Sequence, residues 1–170
     1  MNGKILFEEK QSFVGTWVWY LVLIVALFSV GGSILSAFMS TETDGIIGLS
    51  IATIVTLAIV MLLYFSKLSM IIDHESIRYR YPPFVGKEKV VRKGDINELY
   101  VRKYDSLTEY GGWGFRYSFK NGRALNIIGG EGLQIVANND KKILIGTQKP
   151  DQLRYAIKKL KENWEIKNGK

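Results

Sequence analysis

The sequence FVGTWVWYLVLIVALFSVGGSILSAFM, residues 13–39, contains no charged side chain and decides how the chain is organised. A second uncharged stretch, IIGLSIATIVTLAIVMLLYF, occupies residues 46–65. At about 1.5 Å per residue these helices would measure about 40 and 30 Å, enough to cross the apolar core of a bilayer. Only residues 40–45 separate them, so the two helices must lie antiparallel. The sequence therefore predicts a two-helix transmembrane hairpin.

A cleaved signal peptide is the alternative interpretation of the first stretch. Its apolar region is far longer than the 7–15 residues usual for a signal peptide, and Glu8 and Glu9 interrupt a basic leader. Small residues also recur at helical spacing in both stretches, which favours close packing of the helices and leaves a homodimer open. These residues are Ser29, Ser33, Ala37, Gly48, Ala52 and Thr56.

The positions of the lysines predict the orientation in the membrane. Lys4, Lys10 and Lys67 flank the outer ends of the hairpin, whereas the link carries only Glu42 and Asp44. Because basic residues concentrate on the cytoplasmic side, we expect a multi-pass protein of the cell membrane with both termini in the cytoplasm. We expect membrane-interface anchors at the same side: Trp17, Trp19, Tyr20, Tyr64 and Lys67.

This topology divides the chain into three parts. A cytoplasmic N-terminal segment covers residues 1–12, the two transmembrane helices lie within residues 13–66, and a cytoplasmic domain covers residues 67–170. In the last part the apolar pattern changes to the period of a β-strand, and turn residues recur every 8–12 residues. About eight antiparallel strands are predicted, over residues 68–73, 77–81, 87–92, 96–104, 113–119, 123–128, 133–137 and 141–145.

The chain ends in a predicted amphipathic helix. Pro150 suits the first helical turn, and Asp151 complements the helix dipole there. A stripe of apolar residues follows at helical spacing and would cover an open end of the strands. The stripe consists of Leu153, Ala156, Ile157, Leu160 and Trp164. The predicted class is an α+β membrane protein, with a β-barrel or sandwich between the hairpin and this helix.

Two short stretches carry a resemblance to a known family. They are Trp113-Gly114-Phe115-Arg116 and, leading into the terminal helix, the sequence ILIGTQKP at residues 143–150. Together with the two preceding apolar helices, they resemble a bacterial family of membrane-anchored, pleckstrin-homology-like (PH-like) proteins. The resemblance implies a PH-like fold over residues 68–162 and a binding or scaffolding module. It implies no catalytic or ligand residue.

The residue types give little support to an enzyme. The chain of 170 residues has no cysteine and only one histidine, His74, in a predicted turn. Thiol nucleophiles and Cys/His metal sites are therefore absent, and the acidic residues show no spacing typical of paired acid and base roles. The glycine clusters at residues 111–114 and 129–132 lack the phosphate-binding patterns and predict turns. We expect no enzyme, no metal and no cofactor.

Basic residues around three consecutive strands are the stronger signal, in a chain of net charge +7. They would attract anionic lipid headgroups if the domain lay on the membrane, and a solvated face is the simpler alternative. Nucleic acid is not expected as a partner of a membrane-tethered domain. The predicted lipid-binding residues, called the basic lobe below, are Arg78, Arg80, Lys87, Lys89, Arg92 and Lys93.

A protein partner is the other function that the sequence leaves open, and the one that we favour. An exposed sheet edge, or the groove beside the terminal helix, could receive a peptide from that partner. Salt separates the two hypotheses, because attraction to headgroups weakens with ionic strength whereas addition of a strand does not. The partner and the oligomeric state are not specified by these residues.

Overall fold

The computed structural model describes residues 5–39 and 43–166 and contains two compact units. One unit is the helical segment Ser12–Ser66, and the other combines the described residues on either side of it. The elements in chain order are β1 (Ile5–Ser12), α1 (Trp17–Met39), α2 (Thr43–Phe65), β2 (Lys67–Asp73), β3 (Ser76–Tyr81), β4 (Val85–Arg92), β5 (Ile96–Lys103), α3 (Ser106–Tyr110), β6 (Gly114–Ser118), β7 (Gly122–Asn126), β8 (Glu131–Ala137), β9 (Lys142–Thr147) and α4 (Pro150–Ile166).

The helical unit consists of two antiparallel helices that are long and apolar enough to cross a membrane. Helix α1 begins at Trp17 and not at residue 13. The helix starts later because Gly15 has a left-handed backbone conformation. The Thr16 hydroxyl then caps the helix by accepting a hydrogen bond from the Trp19 backbone N–H at 3.3 Å. Helix α2 begins at Thr43, so the link is shorter than predicted, and residues 40–42 of it lie outside the described residues.

Small polar side chains join the two helices. The Thr53 hydroxyl lies 3.1 Å from the Ser29 hydroxyl and 2.7 Å from that of Ser33. Ser33 also donates a hydrogen bond to the backbone oxygen of Leu49. Two predicted packing residues of α1 thus contact α2, but Thr56 turns back to the Ala52 carbonyl of its own helix. The remaining surface is apolar and open, as expected for helices surrounded by lipid.

The second unit contains a four-stranded and a five-stranded sheet. The first has the order β1-β2-β3-β4 and the second β5-β8-β9-β7-β6. Strict alternation in β3 is confirmed, because Ile77, Tyr79 and Tyr81 are buried while Arg78 and Arg80 lie on the opposite face. The expectation of purely antiparallel strands is corrected. Strand β9 pairs antiparallel with β8, its hairpin partner, and parallel with β7 on its other side.

Strand β1 was not predicted, and it extends the first sheet at its β2 edge. Two polar side chains of β1 point into the interior. The Glu9 carboxylate accepts hydrogen bonds from the Thr147 hydroxyl at 2.6 Å and from the Gln148 backbone N–H at 2.8 Å. The Gln11 amide donates to the backbone oxygen of Gly146 at 2.8 Å. Residues before the helical hairpin therefore belong to the same compact unit as the sheets that follow it.

Helix α4 closes the interior. Its predicted apolar stripe is confirmed, because all five residues of the stripe are buried. The short helix α3 was not predicted. It begins where the Asp105 carboxylate accepts the backbone N–H groups of Leu107 and Thr108, and it ends at Gly111 in the left-handed conformation. Tyr104 and Tyr110 then pack with Ala124 and Leu144 on the face of the second sheet next to α3.

Candidate functional site

The helix ends bring several predicted anchors together. The rings of Trp19, at the start of α1, and Tyr64, at the end of α2, lie 6.3 Å apart. Tyr64 also makes an edge contact with Phe65, and the side chains of Trp17 and Tyr20 are exposed at the same end of the hairpin. Lys67 is the exposed first residue of β2. An aromatic cluster at one end of an apolar hairpin is typical of the membrane interface.

The basic lobe is divided by the strand register. Arg78 pairs with Val90, and Tyr79 pairs with Lys89. Since directly paired residues of an antiparallel ladder share a face, Lys89 lies on the face of Tyr79, opposite Arg78. The other members are placed as follows: Arg80 and Arg92 are exposed, Lys87 lies in the irregular part of β4, and Lys93 begins a short 3-10 turn. Because Arg92 pairs with Ser76, the structure brings Arg78, Arg80 and Arg92 to one face of the sheet and leaves Lys89 on the other.

Arg78 is engaged within the domain. It forms an ion pair with Asp73 at 3.2 Å. Burial opposes ionisation of the Asp73 carboxyl, but hydrogen bonds from the backbone N–H groups of Glu75 and Ser76, together with Arg78, outweigh it and hold the pKa of Asp73 below its ordinary value of 3.8. The β2–β3 turn is therefore built around an ionised carboxylate.

We expect Asp73→Asn to destabilise the sheet unit by about 1–2 kcal/mol at pH 7, because an amide replaces a charged acceptor of several hydrogen bonds. A lowered pKa in the folded state stabilises it above the unfolded pKa, and this contribution is lost as the pH falls through the folded value. The difference between the two proteins should therefore shrink below about pH 4. Urea unfolding of the full chain in mild detergent from pH 3 to 7 measures it. Glu88→Gln, on the exposed surface of β4, is the matched control.

Arg102 and its surroundings form a structural cluster. The Arg102 guanidinium contacts the Glu109 carboxylate at 2.8 Å and donates to the Gln134 side-chain oxygen at 3.0 Å and to the Tyr110 hydroxyl at 3.1 Å. The hydrogen bond from Arg102 lowers the pKa of Glu109, against the effect of burial. The same carboxylate accepts the backbone N–H of Asp105. This cluster fastens α3 to strands β5 and β8.

No catalytic arrangement stands out in residues 5–39 and 43–166. The described residues contain no group of three or more histidine, cysteine, aspartate or glutamate side chains that could hold a metal ion. The backbone oxygen of His74 accepts a hydrogen bond from the Asn163 side chain at 2.9 Å, which ties the β2–β3 turn to α4. Gly111, Gly112 and Gly129 lie between elements at positive φ, as the turn prediction requires, whereas Gly114 begins β6 and Gly132 lies within β8, where that prediction is wrong.

A groove along β5 and α4 is a candidate binding site at the edge of the second sheet. Strand β5 is the end strand of its sheet, paired with β8 on one side. Two adjoining hollows of about 490 and 440 Å³ share Leu99, Tyr100 and Lys161 as lining residues. Ile157 and Trp164 add apolar surface from the helix. At one end the Lys93 ammonium donates to the Trp164 backbone oxygen at 2.6 Å and fixes the helix beside the strand.

Charges on the groove walls are mixed. Strand and helix contribute basic and acidic side chains in similar number: Lys93, Arg154, Lys158, Lys161, Glu98, Glu162 and Glu165. The Arg154 guanidinium is engaged with Glu131 and Asp151. Binding in this groove must therefore depend on the strand backbone and on the apolar lining more than on a net charge.

Sequence reasoning missed one basic surface. Lys120 lies in the β6–β7 turn and Arg123 near the start of β7, while Lys141 ends the β8–β9 turn and Lys142 begins β9. The parallel pairing of Arg123 with Ile143 places both turns at the same end of the sheet. Both hairpins were predicted from their turn residues, but no local pattern indicates that strands from different hairpins pair. The proximity of the four cations is therefore visible only in the fold.

Fold and surface define an α+β chain with two potential membrane-spanning helices and a two-sheet unit closed by a C-terminal helix. Comparison with known proteins adds no closer assignment, since neither a family model, nor a curated protein, nor a solved structure matches the chain.

Proposed function

We propose that this protein is a non-catalytic binding module of the cell membrane, which presents a PH-like domain to a protein partner on the cytoplasmic side. The two apolar helices support the membrane anchor, because large side chains such as Phe28 and Phe38 are 76% and 85% exposed and would be unfavourable in water. The basic residues outside the hairpin support an orientation with both termini in the cytoplasm. Two sheets followed by α4 support the PH-like fold, from which the parallel β7–β9 pair is a departure.

The free edge of β5 beside α4 is the observation that carries the proposal. A strand at the end of a sheet presents backbone donors and acceptors that an extended peptide can pair with. Leu99 is buried at this edge while Tyr100 is 41% exposed, so a bound peptide would find a backbone ladder next to an aromatic surface. The partner then contributes an extended segment that becomes an additional strand, with α4 as the second wall.

Crosslinking from both walls of the groove tests this proposal. A photoreactive amino acid at Tyr100 and another at Lys161, in the full-length protein in its own membrane, should trap the same segment of one protein. The same probe at Tyr155, which is exposed on α4 outside the groove, is the matched control. Trapping should persist at high salt, because strand addition does not depend on unscreened charges.

A synthetic copy of the trapped segment gives the decisive measurement. Proline at successive positions of this peptide should abolish binding to the purified full-length protein at alternate positions only, since every second N–H of an added strand points to the groove edge. Equal trapping from all three probe sites, or a peptide indifferent to proline, would contradict the proposal. Trapping of lipid alone would favour the other hypothesis.

Binding of anionic lipid headgroups through the basic lobe stays a prediction. Arg80 and Arg92 are exposed and support it. The ion pair of Arg78 with Asp73 and the opposite face of Lys89 reduce the charge that one face of the sheet could offer a membrane. The groove is therefore the better supported site.

A further inference from the structure

A cleft with a strong charge bias lies between the two hairpin turns at one end of the five-stranded sheet. It measures about 490 Å³ and is lined by residues of both hairpins. Its charged lining residues are Lys120, Arg123, Lys141, Lys142 and Asp140. In the part of the chain that the structure describes, none of these four cations belongs to an ion pair. Four positive charges against one negative make the cleft suitable for an anion.

Two aromatic side chains stand beside these cations without cover. Phe119, in the β6–β7 turn, is 99% exposed, and Tyr117 is 62% exposed. Their rings contact each other edge to face with centroids 5.6 Å apart. A phenylalanine ring fully exposed to water is unfavourable, whereas phenylalanine can bury its ring at the boundary between lipid headgroups and acyl chains, and tyrosine is favoured at the headgroup level. The cations at this end of the sheet therefore suit the anionic headgroups of a membrane, and the aromatic rings suit the interfacial region below them.

The backbone holds this arrangement in place. Parallel pairing of Arg123 with Ile143 and of Ala124 with Leu144 fixes the two hairpins side by side. Gly122 permits the close approach, because a Cβ atom at this position would overlap the backbone oxygen of Lys142. The cations are thus presented by a sheet and two tight turns.

From these observations we propose that the hairpin cleft binds phosphate groups, and that anionic phospholipid headgroups are their source. Lys120, Arg123, Lys141 and Lys142 contact the phosphates, while Phe119 enters the interfacial layer. The inference rests on the proposed membrane anchor but not on the peptide groove. It assigns lipid contact to residues outside the basic lobe.

The absence of cysteine makes a site-specific test possible. Asn139→Cys, in the exposed turn that lines the cleft, is labelled with an environment-sensitive fluorophore in the full-length protein. The protein is reconstituted in nanodiscs of phosphatidylcholine alone or with phosphatidylglycerol. We expect a blue shift and stronger emission only in the anionic discs, with quenching by lipids spin-labelled near the headgroup. Phe119→Ala should reduce this quenching.

Neutralisation of charges locates the contact. Lys141→Gln with Lys142→Gln should weaken the docked state about 30-fold, from about 1 kcal/mol for each basic residue near the surface. The same double change at Lys149 and Lys159, exposed residues just before and within α4 that line neither the cleft nor the groove, should leave the emission unchanged. Unfolding in urea confirms that each variant is folded.

Several results would overturn the proposal. They are an emission insensitive to anionic lipid, an equal loss in the α4 control, and a response in neutral discs to inorganic tripolyphosphate alone, which would indicate a soluble anion. Failure of the protein to enter nanodiscs would instead contradict the membrane anchor. Crosslinking at the groove is measured separately, so the two proposals fail independently.

Discussion

Glu9→Ala is expected to lower the free energy of unfolding of the sheet unit by about 2–4 kcal/mol. The Glu9 side chain comes from β1, is 3% exposed, and accepts hydrogen bonds from the Thr147 hydroxyl and the Gln148 N–H. Removing the carboxylate leaves two buried or half-buried donors without a partner and opens a cavity. Both lost hydrogen bonds come from the segment that joins β9 to α4.

The consequence extends beyond one hydrogen-bonded pair. Glu9 and Gln11 are both buried, and each contacts the end of β9 across the interior. Strand β1 precedes the helical hairpin, whereas β9 follows it by many residues. These polar contacts therefore join the two chain segments on either side of the helical hairpin, and weakening them should release β1 from the sheet.

Pulse proteolysis of the full chain in mild detergent, over a urea series, measures the change. Glu8→Ala is the matched control, because Glu8 is the neighbouring residue of the same strand but has an exposed side chain paired with Lys10. We expect an effect of less than about 0.5 kcal/mol there. Equal effects of the two substitutions would show that β1 does not contribute to the core.

Much of the second unit follows from local patterns in the sequence. The alternation in β3 and the apolar stripe of α4 predicted the buried residues, because burial on one face imposes the period of the element. Asn121-Gly122 and Asn138-Asn139-Asp140 predicted both hairpins from turn chemistry. These signals are local, and each was sufficient for its own element.

Other features depend on contacts between distant segments. Two of the buried residues of strand β1, Glu9 and Gln11, are polar. A search for alternating apolar residues therefore does not detect this strand. Parallel pairing of β7 with β9 unites two hairpins that are each complete by themselves. The basic lobe was inferred from nearness in sequence, while the pairing of β4 with β3 puts Lys89 on the face opposite Arg78, Arg80 and Arg92. The position of β1, the β7–β9 pair and the placement of the basic lobe all depend on pairing between strands, which the sequence of a single strand does not specify.

Gly122→Ala is expected to be the most damaging small substitution in the β6–β7 hairpin. Gly122 has a φ of 77°, which costs a residue with a Cβ about 1 kcal/mol or more. The added methyl group would also overlap the Lys142 backbone, which cannot move without breaking the β7–β9 pair. Overpacking of this kind costs about 1–3 kcal/mol, so we expect a total loss of about 2–4 kcal/mol.

Two further variants separate the causes. Gly122→Asn tolerates the left-handed conformation but keeps the steric overlap, so it should remain nearly as damaging as alanine. Gly130→Ala is the matched control, because its Cβ would meet the Tyr104 backbone oxygen at an ordinary distance of 3.7 Å. If Gly122→Asn has the stability of the unsubstituted protein, backbone strain alone explains the effect of alanine, and the steric overlap with Lys142 does not contribute. If overlap dominates, the hairpins must separate, and the fluorescence response of the cleft to anionic lipid should disappear together with the lost stability.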